Sequence, residues 1–288
     1  MEQRLTKIKY KGRDALKIEG LGDFLLYRTL DCGQCFRWQL TDASAGEHIG
    51  VAHGRELHAA SERQGELILV DVDEEEFERI WRRYFSLDRD WQAIRRDIEL
   101  RSVQLREAAA LSEGIRILSQ EPYEALVSFI ISQCNNIPRI KGLIRSLSEH
   151  YGERISEHSY TFPTAERILS EPLSSLSALK LGYRDEYIYS ACRDVCDGII
   201  ERIEACPSTA EAERILTSMK GVGRKVASCV LLFGFGRLDA FPVDVWMKRS
   251  LERNFGPGAD ISSFGEYRGV AQQYLFYAER YVGADKLP

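Results

Sequence analysis

The sequence predicts an α+β fold in two parts, an antiparallel sheet domain followed by an all-helical one. Three observations lead there. Apolar and polar residues alternate in short runs over roughly the first hundred positions, glycines break those runs at hairpin-like intervals, and from Glu74 onward apolar residues recur every three or four positions. Residues 5–10 and 36–40 alternate and residues 67–70 are apolar throughout, so each reads as a strand. Gly12, Gly20, Gly33, Gly46, Gly54 and Gly65 punctuate them. The helical pattern opens with Phe77, Ile80, Trp81 and Tyr84 on one face. It follows the run 71–78, whose six carboxylates suit the start of a helix and its dipole. Three further amphipathic sets follow: Leu126, Phe129 and Ile130; Ile140, Leu143, Ile144 and Leu147; and Val226, Cys229, Val230 and Phe233. An antiparallel sheet followed by a helical bundle puts the boundary near residue 112, which predicts domains 1–112 and 113–288. There is no internal repeat and no low-complexity linker.

At 288 residues, 44% hydrophobic and 29% charged, the chain has an ordinary globular composition. Collagen, coiled-coil and disordered classes are excluded. No run approaches the roughly 20 apolar residues of a membrane helix. The opening Met1-Glu2-Gln3-Arg4 is charged and lacks an apolar secretion core, so a cytoplasmic protein is expected. Seven scattered cysteines argue against a secreted disulfide framework. A net charge of −5 would ordinarily count against a nucleic-acid partner. That average conceals local reversals, because Arg139, Lys141 and Arg145, then Lys220, Arg224 and Lys225, then Lys248 and Arg249 each follow a turn. A local basic footprint suffices for phosphate, since charge is screened over about 8 Å at physiological salt.

Thr209 is placed to cap a helix through Ile215, Leu216 and Met219, which stops at Gly221-Val222-Gly223. A second helix starts at once with Arg224-Lys225-Val226-Ala227, so residues 209–234 read as a helical hairpin. Glycines there let the backbone turn sharply and let a phosphate approach the exposed N–H groups of the second helix. A bare Gly-x-Gly also serves simply to end a helix. The flanking Lys220, Arg224 and Lys225 favour the phosphate reading.

The run Met219-Lys220-Gly221-Val222-Gly223-Arg224-Lys225-Val226-Ala227 resembles the helix-hairpin-helix of DNA-repair glycosylases, and Phe241-Pro242-Val243-Asp244-Val245 resembles the loop that supplies their catalytic aspartate. Asp244 follows Lys225 by 19 residues, the spacing of that superfamily. Three segments are similar to the 8-oxoguanine DNA glycosylase branch: 32–38 (Cys-Gly-Gln-Cys-Phe-Arg-Trp), 181–184 (Leu-Gly-Tyr-Arg) and 271–276 (Ala-Gln-Gln-Tyr-Leu-Phe). The resemblance implies a TBP-like antiparallel sheet packed on the helical glycosylase domain. It also implies a bifunctional enzyme that excises 8-oxoguanine from duplex DNA and then nicks the strand.

The chemistry suits these residue types. A base inside a duplex is unreachable until it is flipped out. Cleaving its glycosidic bond builds positive charge on the sugar, which a nearby carboxylate stabilises. An amine that attacks the sugar carbon gives a Schiff base, and β-elimination then breaks the strand. Lys225 is therefore expected as nucleophile, and Asp244 as the carboxylate that steadies the cation and assists proton transfer. Read without the resemblance, Lys225 could be a phosphate-binding lysine and Asp244 a plain helix cap.

The resemblance further implies a base pocket. Gly33 matches the glycine whose carbonyl accepts from N7–H, a donor that 8-oxoguanine has and guanine lacks. Phe276 and Cys229 match the residues that sandwich the flipped base, and Gln272 the one on its Watson–Crick edge. Taken alone, a buried cysteine or phenylalanine is ordinary core. Asn135 and Asn136 match the turn that fills the hole left by the base, while Tyr183, Arg184 and Arg139 match the wedge and the arginines facing the opposing cytosine. Cys134 stands where the family's first asparagine stands, so which side chain fills the void is open. Taken alone, the asparagines could merely serve a turn in left-handed geometry. Trp246 stands where human-type members carry histidine.

No cysteine follows Cys229, so the four-cysteine iron–sulfur loop of related branches is missing. The cysteines and histidines lack zinc spacing, so neither metal nor cofactor is expected. The expected partner is lesion-containing duplex DNA, bound by a monomer without a membrane, in a bacterial cytoplasm near the nucleoid. Two rivals stand beside this reading. An alkylated-purine glycosylase shares the two-part fold but needs no lysine nucleophile. A noncatalytic hairpin module would keep Gly221, Val222 and Gly223 without needing Lys225 and Asp244 together.

Overall fold

The computed structural model describes residues 3–282. Six strands, β1 (Arg4–Tyr10), β2 (Arg13–Glu19), β3 (Trp38–Asp42), β4 (Glu47–Ala52), β5 (Arg55–Ala60) and β6 (Glu66–Val70), form one antiparallel sheet in the order β1-β2-β6-β5-β4-β3. All five residues of β6 are buried. Leu67 and Leu69 enter one apolar cluster and Ile68 and Val70 another, so this inner strand is covered on both faces. The acidic run does start a helix over 74–84. Asp73 caps it by accepting from the Glu76 N–H at 2.8 Å, and Phe77–Trp81 is a π-helical segment within it.

The strand expected at 36–40 begins two residues later, at Trp38. Phe36 packs edge-on against Phe129 at 5.6 Å, and Arg37 pairs with Glu124 at 3.2 Å. Both residues are drawn into the helical layer, and the chain between Gly33 and Arg37 runs as a loop wedged between the two layers.

The longer helices are α1 (Trp91–Arg101), α2 (Val103–Leu111), α3 (Pro122–Ser132), α4 (Ile137–Tyr151), α5 (Arg184–Cys196), α6 (Thr209–Ser218), α7 (Arg224–Phe233), α8 (Val245–Phe255) and α9 (Arg268–Tyr277). Within α3, seven residues from Ala125 to Ile131 are buried, because neighbouring helices cover it all round. It packs against α7 and α5, while α9 packs against α2. Trp91, Ile94, Ile98 and Leu105 join this helical core, whereas Leu118 returns to the core of the sheet. The cap of α6 is Ser208, whose hydroxyl accepts from Glu211 N–H at 3.2 Å. Thr209, expected in that role, donates instead to Asp239 at 2.6 Å, since the extended backbone a cap needs falls one residue earlier.

Candidate active site

Between α6 and α7 the chain turns on Gly221 and Gly223. Gly221 has φ +80°, and the Tyr187 ring lies 2.2 Å from where its Cβ would be, so both backbone and packing require glycine. Gly223 has nothing within 4 Å of a built Cβ, which leaves the first N–H groups of α7 open to an approaching anion. Val222 is buried beneath the turn, while Arg224 is exposed and makes no ion pair among the described residues. Lys220 is less free, paired with Glu186 at 2.7 Å.

From that turn α7 carries Lys225 and Cys229 into a cleft lined also by Gly33, Phe129, Asp244, Gln272 and Phe276. The Lys225 ammonium stands 5.2 Å over the Phe129 ring and donates to Ser132 Oγ at 3.4 Å. Asp244 caps α8, accepting from Met247 N–H at 2.7 Å through Oδ1. The cap fixes one carboxylate oxygen and thereby the direction of the other. Burial pushes the Cys229 thiol up, only partly offset by Lys225 beside it, so the group packs as a small neutral sulfur. Gln272 is 5% exposed, and its Oε1 has no hydrogen-bond partner among the described residues. A buried acceptor left open in a cleft is suited to a ligand N–H.

The loop bearing Gly33 is held from several directions. Gly33 itself has φ +82°, and a Cβ there would meet the Phe276 ring at 3.4 Å. Gln273 Nε2 donates to the Cys32 carbonyl at 2.8 Å. The buried Gln34 donates to the Thr29 and Arg116 carbonyls at 2.8 and 2.7 Å and accepts from Leu118 N–H at 2.9 Å. Burial pushes the thiols of Cys32 and Cys35 up, Cys32 to about 12, so both favour the neutral form. Sequence reading missed Gln34, Gln273, Phe129 and Ser132. These side chains act on segments distant in the chain, and periodicity carries no trace of that.

The other predicted residues gather outside the cleft, where the α3–α4 loop meets the turn before α5. Cys134 holds the left-handed conformation, φ +50°, and its exposed thiol neighbours the exposed Tyr183 hydroxyl. Neither asparagine needs that geometry. Asn135 Nδ2 donates to the Ile131 carbonyl at 3.0 Å, and Asn136 caps α4 by accepting from Arg139 N–H at 3.0 Å. Arg139 is exposed, whereas Arg184 is 6% exposed and donates to the Gln133 carbonyl and, at 3.0 Å, to that of Leu181. Gln133 joins this cluster to the hairpin through Nε2 on the Gly221 carbonyl at 3.1 Å. Sequence reading gave Gln133 no role.

A sheet packed on a helical body, with a lysine and an aspartate converging from a glycine hairpin and a helix cap, defines a base-excision protein of the helix-hairpin-helix class. Residues 127–263 match the family model described as HhH-GPD superfamily base excision DNA repair protein, and residues 19–126 match the 8-oxoguanine DNA glycosylase N-terminal domain. An N-glycosylase/DNA lyase of Saccharomyces cerevisiae is 30% identical over 273 residues, which cover 85% of this chain and 72% of that one. Clostridium acetobutylicum 8-oxoguanine glycosylase/lyase, solved with double-stranded DNA containing cytosine opposite 8-oxoG, superposes with a TM-score of 0.86 at 32% identity, covering 96% of this chain and 97% of that one. A 3-methyladenine DNA glycosylase of Archaeoglobus fulgidus shares the fold, with a TM-score of 0.66 at 20% identity over 96% of this chain and 90% of that one. The chain belongs to the 8-oxoguanine DNA glycosylase family. No helix among the described residues is long and apolar enough to cross a membrane.

Proposed function

We infer that this chain excises 8-oxoguanine from duplex DNA and nicks the abasic site it creates. The observation that carries the reading is the convergence of Lys225, Asp244, Gly33, Cys229, Gln272 and Phe276 on one cleft. With a flipped base in place, the Gly33 carbonyl accepts from N7–H and Gln272 Oε1 from an N–H of the base edge. Phe276 and Cys229 close on its two faces. The neutral Lys225 amine attacks C1′, the glycosidic bond breaks, and its electron pair leaves with the base, which takes up a proton. Asp244 stabilises the positive charge that develops on the sugar. Ring opening gives an iminium at C1′. Loss of a C2′ proton then expels the 3′ phosphate, which is the nick. Gly221, Val222, Gly223 and Arg224 receive a backbone phosphate. Arg139, Tyr183 and the 134–136 turn face the opposing base, and Arg184 braces them from behind through the Gln133 and Leu181 carbonyls. Cytoplasmic DNA of the nucleoid is the expected place of work.

Lys225 counts against the alkylated-purine reading, and its pairing with Asp244 in one cleft counts against a noncatalytic module. Replacing Lys225 by Gln is expected to abolish nicking and borohydride trapping on 8-oxoguanine duplex while duplex binding persists. A Lys225→Gln protein that still traps would overturn the assignment.

A further inference from the structure

A second cleft shares no lining residue with the first. It lies where α4 passes the sheet edge, and Arg37, Lys141, Ile144, Arg145, Ser148 and Tyr160 form half of its wall. Lys141, Arg145 and Ser148 are spaced four and three residues apart on α4, so they share one face. They span about 10 Å along the axis, within reach of one small ligand for long side chains.

The polar groups on this face are unevenly satisfied. Arg37 is committed to Glu124 and to the Tyr160 carbonyl and forms the floor. Lys141 places one N–H on the Trp38 carbonyl at 2.9 Å and keeps two more. Arg145 makes no ion pair or hydrogen bond among the described residues. Ser148 is only 4% exposed, and its Oγ has no partner among them. A buried hydroxyl without a partner is costly, and a helical serine could usually bond back to its own helix. The acid in the wall, Glu149, is exposed and ion-paired with none of the described residues.

We propose that this cleft binds a phosphate-sized oxyanion. Ser148 Oγ–H and the Arg145 guanidinium donate to it, and the Lys141 ammonium supplies the remaining charge. A phosphate suits this set because it accepts several charge-assisted hydrogen bonds at once from donors spread in space. The group can belong to a free nucleotide or to the DNA backbone beyond the lesion, and the two sources share this chemistry.

Calorimetric titration of the full chain with inorganic phosphate tests it. Wild type is expected to bind one phosphate saturably, and Ser148→Ala and Arg145→Gln each to weaken it at least about ten-fold, as loss of a charge-assisted bond implies. Ser148→Ala should fold with unchanged or higher Tm, because it removes an unpartnered buried hydroxyl. Adding lesion-free duplex assigns the source. Displacement of the phosphate points to the DNA backbone, whereas independent binding together with tighter dGMP points to a free nucleotide. Absence of saturable binding to wild type, or binding that survives both substitutions, overturns the proposal.

Discussion

Gly33 concentrates two demands in one residue. Its φ of +82° is costly for any residue with a Cβ, by about 1–2 kcal/mol, and a Cβ would touch the Phe276 ring at 3.4 Å. The Gln273 and Gln34 braces prevent the loop from relaxing to absorb the change. Gly33→Ala is therefore expected to fold with a Tm lowered by a few degrees and to lose roughly ten-fold or more in single-turnover excision of 8-oxoguanine. Its affinity for DNA should persist, because phosphate contacts carry it. Wild-type excision by a normally folded variant would remove the carbonyl from lesion recognition. Cys134 is the second residue whose backbone matters. Both neighbouring asparagine amides are engaged, so the thiol stands at the tip of the loop beside Tyr183. Among the described cysteines, Cys134 and Cys196 are exposed and the rest buried. Iodoacetamide with mass-spectrometric readout is expected to label these two first, and lesion duplex to protect Cys134 but not Cys196. Equal protection of both would move the DNA face elsewhere.

At the scale of the element, the hairpin separates its two glycines by role. A Cβ on Gly221 would enter the Tyr187 ring at a left-handed φ, whereas one on Gly223 meets open space. Gly221→Ala should cost stability, on the order of 2 kcal/mol or more from combined strain and overpacking. Gly223→Ala should leave Tm nearly unchanged yet weaken duplex binding, because its Cβ would stand where a phosphate approaches the N–H groups of α7. Thermal melts and binding titrations of the two variants check this, and equal loss of Tm in both would refute it. The same element shows why the basic clusters are an incomplete guide. Lys220 is neutralised by Glu186 from α5, and Lys141 gives one of its three N–H groups to the Trp38 carbonyl in β3 but keeps its charge. Arg224 and Arg139 remain exposed. Charge along the sequence does not reveal which cations a neighbouring element will take up.

Across the whole molecule, Glu124 and Arg37 join the helical layer to the segment that leads into the sheet. Burial pushes the Glu124 carboxyl from its ordinary 4.5 up to about 7, with Arg37 pulling against that shift. The folded protein then holds this proton more tightly than the unfolded chain does. The stabilisation is complete below about pH 4.5 and is lost as pH rises through 7, at most on the order of 3 kcal/mol. Tm measured from pH 5 to 8 should therefore decline less steeply in Glu124→Gln than in wild type. Parallel profiles would show that the carboxyl titrates elsewhere. Packing also placed Trp91, Ile94, Ile98 and Leu105 in the helical core and Leu118 with the sheet, so the layers interleave along the chain.

By itself the sequence determined the two-part α+β organisation, three of the six strands, the helix of the acidic run and the glycine hairpin, because periodicity and turn chemistry are local properties. Its resemblance to a glycosylase family also pointed to Lys225, Asp244, Gly33, Cys229, Gln272 and Phe276, which line one cleft. Only the tertiary structure decided the partners: Ser208 rather than Thr209 as cap, Phe36 and Arg37 drawn out of the sheet, Arg184 turned inward onto backbone carbonyls, and Cys134 in the left-handed turn. The physical reason is common to all four. A side chain's hydrogen bonds and packing are settled by groups that folding brings close from far along the chain, and local periodicity holds no record of them.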